Sequence, residues 1–114
     1  MVIVTVNYEY EGDPTEWAKA YTPERAEMFV NLPGLQWKIW LDAPEDKRTG
    51  GIYLFEDSTS ADAYSNGPLM DRHRNNPALI NLQVRTFNTR AEMSRITRAP
   101  IFNEDSSFLN NAAE

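Results

Sequence analysis

The stretch from Pro33 to Phe55 most restricts what this chain can become. A Pro-Gly turn leads into Leu35-Gln36-Trp37-Lys38-Ile39-Trp40, a charged segment from Asp42 to Arg48 follows, and Gly50-Gly51-Ile52-Tyr53-Leu54-Phe55 closes the unit. Both runs have strand composition, with branched and aromatic residues alternating against polar ones, and the segment between them is too polar for a core. The unit reads as a hairpin, with Gly50-Gly51 as its turn. Side chains on a strand alternate faces, so Trp37 and Trp40 must point to opposite sides of the sheet. Neither face is simply wet.

The flanks supply the rest of the fold. Residues 2 to 9 alternate Val2, Val4, Val6 and Tyr8 against Ile3, Thr5, Asn7 and Glu9, which is a strand with one aliphatic and one mixed face. Asp13 as N-cap with Pro14 behind it, and a second start at Thr22-Pro23-Glu24, predict a helix over about 14–31 with a kink or restart near Pro23. Its buried stripe would hold Trp17, Tyr21, Met28 and Leu32. Ser58 is expected to cap a helix that Asn66-Gly67-Pro68 interrupts before a second piece over about 69–75. A fourth strand spans 79–87, and the capping-box spacing of Thr89 and Glu92 opens a short helix ending before Pro100.

The order β-α-β-β-α-β is that of the ferredoxin-like α+β fold, with an antiparallel sheet and both helical segments on one face. We expect one domain over residues 1–100 and a mobile tail over 101–114, in which Phe108-Leu109 could dock. The aliphatic set of Val2, Val4, Val6, Trp37, Ile39, Ile52, Leu54, Ile80, Leu82 and Val84 is assigned to the helices. Asn7, Lys38, Trp40, Tyr53, Phe55, Gln83, Arg85 and Phe87 are left for the other side. A bare face so aromatic exceeds the apolar patch a soluble monomer usually tolerates, so it should meet a second copy, as a homodimer with a cavity between the sheets.

Charge and cysteine usage remove several function classes. Among 114 residues the net charge is −6, which argues against nucleic acid or an anionic membrane as the main partner. The charge is uneven, because residues 71–98 hold six arginines against Asp71 and Glu92, a local balance of +4. With no cysteine there is no disulfide and no thiolate chemistry, which is compatible with a reducing cytoplasm, and the N-terminus shows no export signal. One histidine and no carboxylate pair at helical ligand spacing leave little to hold a metal, and none is expected.

Three segments carry a family likeness: Pro33-Gly34-Leu35-Gln36-Trp37-Lys38-Ile39-Trp40, then Gly50-Gly51-Ile52-Tyr53-Leu54-Phe55-Glu56-Asp57, then Ser60-Ala61-Asp62-Ala63-Tyr64. Together they resemble the YdhR-like monooxygenases. The resemblance implies the dimeric α/β barrel and oxygenation of a small aromatic or polyketide-like compound. A second resemblance is to haem-degrading members of the same barrel superfamily, which use a first-strand Asn, a Trp and a His. Asn7 matches the first of these, Tyr64 stands in the place of the Trp, and His73 follows it by nine residues. That likeness makes haem the alternative to the main expectation of no cofactor.

Oxygenation without metal or flavin is possible when the substrate, as a phenolate or enolate, itself gives an electron to dioxygen. The protein must then bind a flat compound, promote its deprotonation and stabilise the anion where water is scarce. The mixed face offers Asn7, Tyr53 and His73 as catalytic candidates, with Lys38, Trp40, Phe55, Gln83 and Arg85 to bind substrate. Each has a plainer reading. His73 among charges suits a solvated helix end, Trp40, Tyr53 and Phe55 suit dimer packing, and Asn7 suits a cross-strand hydrogen bond. A cyclase or isomerase, or a dimeric ligand-binding module, would use the same walls.

Overall fold

In the computed structural model, which describes residues 1–101, four strands form one antiparallel sheet in the order β2-β3-β1-β4. Their spans are β1 (Val2–Tyr10), β2 (Leu35–Ala43), β3 (Arg48–Phe55) and β4 (Leu79–Asn88). Between β1 and β2 lie α1 (Pro14–Ala18) and α2 (Pro23–Val30), and between β3 and β4 lie α3 (Ser58–Ser65) and α4 (Pro68–Arg74). A last helix, α5 (Ala91–Ile96), follows β4. This is the ferredoxin-like α+β fold. No described helix is long and apolar enough to cross a membrane.

The first helical segment does restart at Pro23. Asp13 accepts a hydrogen bond from the Thr15 amide at the head of α1, and Thr22 accepts one from the Arg25 amide at the head of α2. Two other caps differ from the expectation. Asp57 rather than Ser58 caps α3, through its bond from the Ser60 amide. Thr89 caps nothing, because its hydroxyl donates to the Met1 carbonyl and α5 begins two residues later. Gly50-Gly51 is not the hairpin turn either. The turn is a short 3-10 segment, Pro44–Asp46, closed by Lys47 with φ 48°, and both glycines lie inside β3.

The register decides which side chains meet. Antiparallel pairing sets Val4 opposite Tyr53, which in turn sits opposite Lys38, while Val6 faces Gly51 and Gly51 faces Trp40. Lys38, Trp40, Tyr53 and Phe55 therefore lie on the same side as Val2, Val4 and Val6, beneath the helices, where Phe29, Tyr64 and Met70 complete the core. The assignment of these four residues to the far side is corrected. Within each strand the alternation holds, but nothing in it says that the aromatic set of β3 must join the aliphatic set of β1.

The far side carries Trp37, Leu54, Ile3 and Phe87 in one cross-strand row and Ile39, Ile52, Thr5 and Arg85 in the next. Trp37, Ile39, Ile52 and Leu54 thus leave the helix-facing set. A register shift between Leu35 and Trp37 separates those two residues, so Leu35 packs on the core while Trp37 faces away and donates its indole N–H to the Pro100 carbonyl at 2.8 Å. A second irregularity sits in β4. Between the pairs Asn7–Gln83 and Glu9–Ile80, β4 has one residue more than β1, and Asn81 takes φ 55°. The bulge turns Leu79 inward and leaves Ile80 38% exposed, the reverse of the expected faces. Of the segment read as a tail, Ile101 is buried, and the expected docking of Phe108-Leu109 lies outside the described residues.

Candidate active site between the sheet and its helices

A cavity of about 220 Å³ opens between the sheet and helices α2 and α4. Tyr8 and Leu79 form its floor, Phe29 and Leu69 its sides, and Arg25, Arg72 and His73 its polar rim. Tyr8, Arg25 and His73 also border a narrow recess of about 10 Å³, room for little more than a single atom group, that ends on Lys38, Trp40 and Tyr53.

Lys38 occupies an aromatic box. Its Nζ lies 3.4 Å from the Trp40 ring centroid, 3.6 Å from that of Phe29 and 4.7 Å from that of Tyr53. Residues 38 and 40 share a strand face, Tyr53 is the cross-strand partner of Lys38, and α2 lowers Phe29 onto the three. Gly51 completes the box by its missing side chain. A Cβ there would sit 3.0 Å from Lys38 Cε and 3.2 Å from the Tyr53 ring. Ring faces attract a cation, yet burial and the nearby Arg25 guanidinium bring the lysine down to about 7. At neutral pH it is poised between amine and ammonium.

Arg25 acts on the whole recess. Its field opposes protonation of Lys38 and of His73, and it favours the ionised forms of Tyr8, Tyr53 and Tyr64. The guanidinium lies over the Tyr21 ring, 5.8 Å from its centroid, and its buried Nε has no hydrogen-bond partner among the described residues. The ion pairs of the described residues are Lys19–Glu16, Arg48–Glu9 and Arg74–Asp71, and none includes Arg25, Lys38 or Arg72.

His73 is half-buried on α4, not solvated. Its Nδ1 is 3.1 Å from the Leu69 carbonyl, one helical turn back, and its ring meets the Tyr8 edge at 5.4 Å. A carbonyl can only accept, so the neutral ring carries its proton on Nδ1 and keeps Nε2 as a base. Burial lowers its pKa, opposed by the Leu69 bond. Tyr8, Tyr21 and Tyr53 complete the lining, with Tyr64 behind Tyr53. Tyr64 donates to the Tyr53 oxygen at 2.7 Å, and burial pushes Tyr64 up to about 12 and raises Tyr53 and Tyr8 further. Tyr21 donates to Thr49, whose own hydroxyl is committed to the Leu41 carbonyl.

Five of the eight residues singled out from the sequence come together here: Lys38, Trp40, Tyr53, Phe55 and His73, with Phe55 packed behind Tyr53 and Tyr64. Asn7, Gln83 and Arg85 do not. They line the opposite face of the sheet, because Asn7 falls out of phase with Tyr8 and pairs with Gln83 in the adjacent row. Asn7 is thereby separated from His73, which also undoes the set that the haem resemblance implied. Sequence reasoning missed Tyr8, Arg25, Phe29, Arg72 and Gly51. A signal for two of them exists, since Arg25 and Phe29 are four apart and must share a helix face.

The split topology and an aromatic, cation-bearing pocket under its helices define a ferredoxin-like α+β domain with a single-sided interior site. This chain belongs to the YdhR-like mono-oxygenase family, whose model, described as "Putative mono-oxygenase ydhR", matches residues 3–100. No match was found among curated proteins. Among solved structures, the chain is similar to the heme-degrader MhuD from Mycobacterium tuberculosis, at 19% identity and TM-score 0.59, covering 79% of this chain and 96% of that one. It is equally similar to SnoaB, a cofactor-independent oxygenase from Streptomyces nogalater, at 20% identity and TM-score 0.59, covering 78% and 92%. At these identities the likeness is one of fold.

The residues present do not suit haem. The cavity lies below the ~300 Å³ at which sites for drug-sized ligands begin, and a porphyrin needs more. Apart from haem, whose iron needs only one axial side chain, a metal ion would need several ligands, and among the described residues no three of His, Asp or Glu converge.

Proposed function

We propose that this protein is a cofactor-independent monooxygenase acting on a small hydroxylated aromatic compound, with Lys38 as the proton acceptor. The observation that carries this reading is the Lys38 amine held in a box of three aromatic rings, at the end of a recess of about 10 Å³ that shares Tyr8, Arg25 and His73 with the cavity, neither being lined by a carboxylate among the described residues. An amine kept near 7 takes a phenolic proton and leaves an ammonium beside the phenolate. The Arg25 field stabilises the same anion.

The chemistry closes without a further reductant. The phenolate gives one electron to dioxygen, and the resulting superoxide and aryloxyl radical combine at a ring carbon. The peroxide then loses water together with the ring hydrogen at that carbon. The product is a quinone holding one oxygen atom of O2, and the other leaves as water. In this reading His73 Nε2 collects the ring proton and the Tyr53 hydroxyl, which accepts from Tyr64, donates to the substrate oxygen.

Oxygen uptake with naphthol substrates, chelator present and no flavin added, tests this reading. We expect isotopic label from O2 in the quinone and loss of turnover in Lys38→Met. Turnover unaffected by removal of oxygen would replace it with a cyclase or isomerase. Labelled product formed equally well by Lys38→Met would remove the lysine's role.

The reading includes a homodimer. Ile39 and Phe87, each about half exposed, stand with Ile3 and Ile52 on the face away from the helices, a patch that a second copy would cover.

A further inference from the structure

The rim of the cavity is more positive than its chemistry so far requires. Arg25 on α2 and Arg72 on α4 line the same opening from two different helices, together with His73 and Asn76, and among the described residues no Asp or Glu contributes to the lining. The whole chain carries −6, so two guanidiniums at one mouth with no carboxylate beside them among the described residues are a local arrangement against the overall charge. Like charges on facing walls repel, and Arg25 Nε is buried without a hydrogen-bond partner among the described residues. Elsewhere Arg48 and Arg74 make ion pairs with Glu9 and Asp71 close by. The two at the cavity have no such neighbour among the described residues.

We infer that the substrate is an aromatic carboxylate whose anionic group is held between Arg25 and Arg72, with its ring in the cavity against Tyr8, Phe29 and Leu69 and its hydroxyl directed to the recess that ends on Lys38. A planar carboxylate matches the forked donors of a guanidinium, and two such donors facing one opening would hold it in a fixed orientation. Size sets the rest of the class. A cavity of about 220 Å³ exceeds the ~150 Å³ that accepts benzene, so it takes one or two rings. The inference rests on the aromatic-substrate reading above, but it concerns recognition and not oxygen.

Anaerobic titration followed by tryptophan fluorescence separates the two, since Trp17 and Trp40 flank the site and no turnover is needed. The probes are hydroxynaphthoate and its methyl ester, against wild type, Arg25→Gln and Arg72→Gln. The acid should bind about tenfold or more tightly than the ester to wild type, as charge-assisted hydrogen bonds imply. That preference should shrink in each variant while ester affinity stays within about twofold. Arg72 is exposed, so its variant keeps the fold even if Arg25→Gln does not. Equal binding of acid and ester by wild type, binding of neither, or an acid preference that survives Arg72→Gln would overturn the inference. A strong acid preference without oxygen uptake would leave recognition standing and dismiss the oxygenase.

Discussion

Lys38 Nζ stands 3.4 Å from the centroid of the Trp40 ring, two residues along the same strand, so one β-strand supplies both the amine of the site and the wall that holds it. Strand alternation fixes this pair rigidly, whereas the third wall, Phe29, arrives on a helix. The site depends on sheet and helix being docked.

Replacing Lys38 by Met should stabilise the protein at acid and neutral pH. The folded-state pKa of the lysine, about 7, is below its ordinary value near 10.5, so the unfolded chain binds more protons between those limits. Wild-type stability should therefore rise with pH across that window. Below it the burial penalty is fully present. Thermal melts of both proteins from pH 6 to 10 should show the advantage of the variant fading as pH rises.

His73 behaves in the same direction at lower pH. Its pKa is depressed by burial, so the fold loses stability as pH falls through the ordinary histidine range and on to the lower folded value. His73→Gln should flatten that acid limb in urea titrations at pH 4 to 7. An unchanged acid limb would show that the ring is not desolvated as described.

The Tyr64–Tyr53 hydrogen bond predicts a coupled pair. Tyr64→Phe should cost about 1 kcal/mol, and Tyr53→Phe, which leaves a buried donor without its acceptor, about 1–3 kcal/mol. The double variant should lose less than the sum. Strict additivity in denaturant melts would argue that the two hydroxyls do not meet.

The adjacent glycines should respond differently. Gly51→Ala presses on Lys38 and Tyr53 and should reduce turnover while costing about 1–3 kcal/mol of stability. At Gly50 a Cβ would collide with the Val6 carbonyl across the ladder, so Gly50→Ala should fail to fold. Circular dichroism and turnover measured together distinguish the two outcomes.

Ile39→Glu with Phe87→Glu tests the pairing of sheets. Sedimentation should show the wild type at twice the mass of the variant, because two carboxylates would be forced into an apolar contact. Equal masses would refute the homodimer.

Much of the fold was legible because it rests on local signals. The β1 alternation, the Asp13 and Thr22 starts and the two strands of the hairpin all follow from neighbours in sequence. The site was legible only in part, because period two says which residues travel together and not which set faces the helices. The aromatic group of β2 and β3 was read as a single unit, correctly, and then placed on the wrong side. The shift after Leu35 and the extra residue at Asn81 leave no mark in the alternation, yet each reverses a face. Arg25 was invisible for another reason, since a charged helix residue reads as solvent-facing until the element it packs against is known.

The bond from the Trp37 indole to the Pro100 carbonyl ties the end of the described chain to an edge strand, and the next residue, Ile101, is buried. A recombinant version stopped ahead of Ala99 would therefore lose that bond and free the Trp37 ring, a greasy spot on the very border where strands recruit strangers. Where the gene is cut would decide whether the product stays in solution.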